Sequence, residues 1–177
     1  MPPPIPVMLQ PHDPRWPAMA KAEGDRLRHV FPDVIGGVDH IGSTAIAGIP
    51  AKPVLDLIVA ITDMAAFDRA TTDMATLGYE GWGEYGLPGR RYFTRDDPVT
   101  GTRQVQLHCY AQGSAEITRH VAFRDHLRAN PHLAAEYARV KQQCREAHPD
   151  NSHKYSDCKS RWIQRMERAA LAAIHTG

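Results

Sequence analysis

The sequence predicts a mixed α/β fold in a single domain over residues 1–177. A small sheet flanked by helices occupies residues 1–112, and a helical third, 113–177, packs on it. Three observations carry this expectation. Pro53 to Ile61 is a nearly continuous aliphatic, β-branched run, as in a central strand covered on both faces. Glycine and proline (Gly86, Pro88, Gly89, Pro98, Gly101) then punctuate shorter strand-like segments. After Ser114 the apolar residues change to helical spacing, as in Tyr155, Trp162, Met166, Ala169 and Ala173. A chain of 177 residues can bury a core of its own.

The first residues, through Pro6, read as an extended arm, and Val7-Met8-Leu9 as a short edge strand. Asp13 and Pro14 read as the cap and first turn of a helix that runs to Val30, before Pro32. Val34 to Gly42 reads as a strand, and Ser43 to Ile49 as a turn or short helix. Asp63 to Leu77 reads as one helix, stopped by Gly78. Tyr79–Trp82, Arg91–Arg95 and Arg103–Tyr110 read as further strands. Ser114 opens a helix to about Ala129. Asn130-Pro131 caps the next, which ends before Pro149, and Asp150, Asn151 or Ser152 caps the last.

Composition narrows the function. Cys109, Cys144 and Cys158 are sparse and odd in number, which argues against a disulfide framework and fits a reducing cytoplasm. Met1-Pro2-Pro3-Pro4 has neither the basic nor the apolar region of a signal peptide. No apolar run is long enough to span a bilayer, so no membrane partner is expected. The net charge of +1 lacks the basic excess of a double-stranded nucleic-acid binder.

The most informative stretch joins His40-Ile41-Gly42-Ser43-Thr44 to Lys52-Pro53-Val54-Leu55-Asp56. A strand runs into Gly-Ser, and the next strand carries an acid. Glycine lets backbone approach a phosphate closely, and serine and free N–H groups bind its oxygens. A carboxylate on the neighbouring strand can hold a divalent cation against the same phosphates.

This stretch, HIGSTAIAGIPAKPVLDLIV, closely resembles the first signature of the GrpB family. FRDHLRANPHLAAEYARVK resembles its second, YSDCKSRWI its third and VMLQPHDPRWP its opening. The resemblance implies a nucleotidyltransferase-like fold, some of whose relatives are fused to an enzyme of coenzyme A synthesis. It implies a phosphorylated small molecule or nucleotide as ligand, either for nucleotidyl or phosphoryl transfer or for binding without catalysis. Working nucleotidyltransferases carry Asp-x-Asp after their Gly-Ser and a third carboxylate on a later strand. Here Asp56 falls at the second acid, Val54 at the first, and Gln106 or His108 at the third. The expectation is therefore one divalent cation (Mg, Mn or Zn), held by Asp56 and His108, which would also be the catalytic pair.

The other candidate ligand-binding residues are His40, Gly42, Ser43, Thr44, Lys52, Arg91, His120 and Arg124. His40 points into the cleft or pins the turn. Adjacent strand residues face opposite sides, so one of Arg90 and Arg91 enters the cleft, and Arg91 is taken as that residue. His120 and Arg124 fall between two apolar pairs on the helix after Ser114. They are therefore expected to look inward, to an anion or to a buried acid, while Thr118, Arg119, Ala122 and His126 face out. Tyr137/Lys141 and Tyr155/Lys159 are each four apart. Each pair brings a lysine to the cleft mouth or leaves it on the surface.

Overall fold

A computed structural model describes residues 3–175. In chain order the elements are α1 (Trp16–Val30), β1 (Ile35–Ile41), a 3-10 turn (Ser43–Ala45), β2 (Leu55–Ile61), α2 (Met64–Arg69), α3 (Thr72–Thr76), β3 (Glu80–Gly81), β4 (Arg91–Asp96), β5 (Arg103–Ala111), α4 (Ala115–Ala129), α5 (Pro131–Ala147) and α6 (Ser152–His175). The strands form one mixed sheet in the order β1-β2-β5-β4-β3. β2 and β5 run parallel, and the other neighbours are antiparallel. The mixed sheet and helical C-terminal part are those the sequence predicts.

Alternation along the strands sorts the side chains. Leu55, Leu57, Val59 and Ile61 of β2, with Val105, Leu107 and Cys109 of β5, form one face. It packs under Trp16, Ala20 and Leu27 of α1 and under Phe67 and Met74 of α2 and α3. Each such side chain, fully buried, contributes about 1.5–3 kcal/mol. On the other face Ile41, Ile58 and Tyr110 meet Ile117 and Val121 of α4. The three last helices close on one another through Phe123, Leu127, Tyr137, Trp162 and Met166, and take Ile46 and Ile49 of the turn into the same cluster. Asp56 lies on this second face, under those helices.

Several local expectations are corrected. α1 begins at Trp16 with Pro17 in its first turn, not Pro14. Asp13 instead binds the Arg15 N–H and guanidinium ahead of the helix. Val7–Leu9 forms no strand: Val7 N–H donates to the Pro149 carbonyl, and only Gln10 bridges, to Ala51. Pro6 and Pro11 flank this segment and have no donor to give a ladder. The helix expected over Asp63–Leu77 breaks at Ala70. Thr71 Oγ1 there donates to the Asp68 carbonyl, a local bond that competes with helix continuation. On α4, of the face expected outward, Thr118 is exposed, but Ala122 is buried and Arg119 pairs with Glu167 of α6, so part of that face is covered. The phase placed Arg124 inward correctly and Ala122 outward wrongly; α6 adds a layer that one helix's periodicity does not reveal.

The cysteine expectation is overturned. Cys144 of α5 and Cys158 of α6 form a disulfide, with Cα atoms 5.8 Å apart, and Cys109 alone is free. The two positions are separated by an interhelical turn, and only the antiparallel packing of α5 on α6 brings them together. No helix among the described residues is long and apolar enough to cross a membrane.

Candidate functional site

The site assembles where β1 ends and β2 begins. Antiparallel pairing sets Ile41 opposite Asp56, so the next residues, Gly42 and Ser43, lie beside that carboxylate. Gly42 has φ 70° and ψ −168°, a conformation essentially reserved for glycine. A Cβ there would stand 2.8 Å from Asp56 Oδ2. The parallel β2–β5 register puts Gln106 next to Asp56 and His108 one pleat further on, next to Ile58. His108 Nε2 lies 3.5 Å from Asp56 Oδ1. Burial pushes the Asp56 carboxyl up, but the His108 hydrogen bond, with the charges of Lys52 and Lys159, outweighs it. The group is held below its usual range.

These residues line a cavity of about 150 Å³. Gly42, Ser43, Thr44, Asp56 and Gln106 form its sheet side. Lys52 lines it from the segment before β2, and Tyr137, Lys141, Tyr155, Ser156 and Lys159 line it from α5 and α6. Lys141 is buried and donates to the Pro50 carbonyl. Lys159 sits 4.1 Å over the Tyr155 ring, and Lys52 lies 5.5 Å from the same ring. Burial, then mutual repulsion, lowers the Lys141 ammonium to about 7 and that of Lys52 to about 8. Burial lowers Lys159 to about 8, against the pull of Asp56. Three lysines thus line one narrow cavity, with Lys52 and Lys159 attracted by Asp56 and Lys141 tied to the Pro50 carbonyl.

Of the residues singled out from the sequence, Asp56, Gly42, Ser43, Thr44 and Lys52 meet in this cavity. His108 stands beside Asp56. His40 does not join them. Its register with Leu57 puts it on the α1 side of the sheet. There Nε2 lies 2.7 Å from Thr44 Oγ1 and burial lowers the ring to about 4, so it pins the turn. Arg91 lies on the opposite face, in a two-bond pair with Asp68. Arg90 is the inward one: Tyr92 pairs with His108, which sends the residue two before Tyr92 toward the same side. The His120 ring lies 5.9 Å from that of His108, tilted by 31°, and hydrogen-bonds the Glu116 carbonyl, with burial lowering it to about 4.

Arg124 turns inward but spends its donors on the scaffold. It binds Asp125, Asp39 and the His40 carbonyl, at 2.8–3.1 Å. This is the buried-arginine alternative, with a difference: both carboxylates remain about half exposed. Arg124→Ala is therefore expected to cost about 1–2 kcal/mol in urea unfolding, less than the ~3–5 kcal/mol of a fully buried pair, because water re-solvates the acids. It is expected to leave phosphate binding unchanged; a weakened ligand response would return Arg124 to the site.

Lys141 and Lys159 are the residues whose surface reading the structure reverses. Their signal in the sequence was the Tyr-x-x-x-Lys spacing, repeated on two helices.

The residues do not fit a pair of cations. Val54, buried and lining the cavity, occupies the position of the first acid, and the Gln106 amide lies beside Asp56. Among the described residues no three His, Cys, Asp or Glu side chains are placed to hold a metal.

The UPF0157 protein YqkA of Bacillus subtilis is 38% identical over 88% of this chain, which spans 45% of that protein's length. The crystal structure of the conserved protein GrpB from Enterococcus faecalis superposes with a TM-score of 0.87 at 34% identity, over 94% of this chain and 99% of that one. The Cid1 poly(U) polymerase superposes with a TM-score of 0.53 at 12% identity, over 78% of this chain and 43% of that one. The last likeness is one of fold, and it makes the fold nucleotidyltransferase-like. Residues 6–169 match the GrpB protein family, and the chain belongs to that family.

Proposed function

We propose that this protein binds the phosphate chain of a nucleotide or another phosphorylated small molecule in the cleft above Asp56. The observation that carries the reading is the convergence of Lys52, Lys141 and Lys159 on the Gly42-Ser43 turn in one cavity. Burying three ammonium groups together is costly unless an anion joins them. Their lowered pKa values reflect that cost. A phosphate would restore their charge, while the turn's glycine allows close approach of backbone.

The test is thermal unfolding with tripolyphosphate, nucleoside triphosphates and coenzyme A precursors. At a hundredfold excess over Kd, a ligand of the native state adds about 2.7 kcal/mol. That is roughly 5–10 °C for a chain of this size. Lys141→Met should abolish the shift while raising the midpoint of the unliganded protein, because it removes a buried charge. The absence of a shift with every phosphate compound would end this reading.

The sign of the pH dependence follows from the lysines. Their folded pKa values, about 7 to 8, lie below the ordinary 10.5. The unfolded chain therefore binds more protons between about pH 7 and 10.5, and the contribution of these groups to unliganded stability rises with pH across that window. Phosphate affinity runs the other way and falls from pH 7 to 9 as the lysines lose charge. Calorimetry at pH 8 in buffers of differing ionisation heat should register proton uptake on binding.

A second reading is nucleotidyl or phosphoryl transfer in the same cleft. The ionised Asp56, next to the turn that would hold phosphate, favours it; Val54 in place of a second acid favours binding alone. Release of phosphate or pyrophosphate from a bound nucleotide, lost in Asp56→Asn while binding persists, would establish transfer.

A further inference from the structure

Arg90 is a buried guanidinium that makes no ion pair among the described residues. Its Nε donates to the Glu84 carbonyl at 3.0 Å and one terminal nitrogen donates to the Tyr85 carbonyl at 2.6 Å. Its carbon centre lies 4.8 Å from the Tyr92 ring and 5.6 Å from the Tyr85 ring. The remaining nitrogen, Nη1, lies 3.4 Å from His108 Nδ1. An arginine this deep without a carboxylate is expensive, so its side-chain hydrogen bond to His108 is informative.

Arginine has five donors and no acceptor. A hydrogen bond between Arg90 and His108 Nδ1 can run in one direction only, from guanidinium to the ring lone pair. A neutral imidazole that accepts at Nδ1 carries its proton at Nε2. Nε2 is the nitrogen that faces Asp56 Oδ1. Among the described residues no other side chain hydrogen-bonds the His108 ring: Tyr92 and His120 meet it as tilted rings, and His120 Nδ1 is engaged with the Glu116 carbonyl.

We propose that Arg90 is a positioning residue that fixes His108 as the Nε2–H tautomer, so that His108 donates to Asp56 and is neither a metal ligand nor a general base. The chain Arg90–His108–Asp56 then holds Oδ1 from one side and leaves Oδ2, the oxygen beside Gly42, to face the cavity. This agrees with the misfit to a two-cation site. It stands against the sequence expectation that His108 joins Asp56 on one cation, because in this tautomer a proton replaces the lone pair a metal needs at Nε2. The ring assignment stands on the unliganded protein, and only its consequence for a ligand rests on the phosphate-binding reading.

The experiment is long-range proton–nitrogen correlation of the histidine ring nitrogens in the unliganded protein at pH 8, with His108 assigned by the resonances lost in His108→Gln. The expected spectrum shows His108 with a bare Nδ1 and a protonated Nε2. Arg90→Met should mix the two tautomers, and Arg90→Lys, which restores a donor, should recover the Nε2–H form. The second arm is zinc titration: wild type should show no His108 resonance shift, and Arg90→Met should gain one. A wild-type His108 protonated at Nδ1, zinc ligation by wild-type His108, or identical spectra in all three proteins would overturn the assignment. The wild-type measurements decide it even if Arg90→Met fails to fold. Tripolyphosphate binding with this result overturned would leave the phosphate site intact; the reverse outcome would leave the tautomer assignment intact.

Discussion

Gly42→Ala is expected to lower stability by about 2–3 kcal/mol and to weaken tripolyphosphate binding at least tenfold. Two effects add at this position. The backbone sits at φ 70°, ψ −168°, where a side-chain-bearing residue costs about 1–3 kcal/mol. The new methyl would also meet Asp56 Oδ2 at 2.8 Å, below any ordinary contact, so either the turn or the carboxylate must move. Either movement separates the turn from the acid. Gly48→Ala is the control. Gly48 also has positive φ, 81°, but nothing lies within 4 Å of the added carbon and the residue is outside the cavity. It should share the strain and keep the binding. Urea unfolding and calorimetric titration of both variants measure the two effects. Equal loss of binding in both would show that general strain, not the approach to Asp56, governs the site.

Opening the Cys144–Cys158 disulfide is expected to cost about 3 kcal/mol. The bond links positions 14 apart, and closing a loop of that size removes roughly this much from the entropy of the unfolded chain. For a chain of this length the midpoint should fall by roughly 6–12 °C. Cys158 is exposed at the start of α6, so a reductant reaches the bond without unfolding the protein. Cys109 gives no competing signal, because it is buried and its thiol is pushed well above the usual range by burial. Thermal unfolding with and without reductant, alongside Cys158→Ser, tests the expectation. Coincident midpoints, or free thiols at Cys144 and Cys158 in the untreated protein, would refute it.

Much of this protein follows from local patterns. The apolar run of β2 could be read because a strand buried on both faces needs no alternation. Ser114 and the Asn130-Pro131 pair mark helix starts through chemistry that acts within a few residues: Ser114 Oγ accepts the Glu116 N–H, and Pro131 opens α5. The meeting of Gly42-Ser43 with Asp56 could be read too, because one antiparallel step joins neighbouring strands. The family signatures lie in the same segments.

What could not be read depends on relations between distant segments. Whether Arg90 or Arg91 faces the cleft is decided by the pairing of Tyr92 with His108, since a shift of one residue exchanges the two faces. Arg124 was placed inward by its helical phase, but its partner Asp39 is 85 residues away. Phase gives a direction and not a neighbour. Lys141 and Lys159 read as surface residues because helical spacing says nothing about where a second helix will lie. The packing of α5 and α6 over the end of the sheet buries those two ammonium groups, joins the two cysteines and closes the cavity. Short-range stereochemistry therefore accounts for the elements and the turn beside Asp56, and long-range packing sets the charge and shape of the site, because burial and Coulomb energy depend on distances that sequence spacing does not encode.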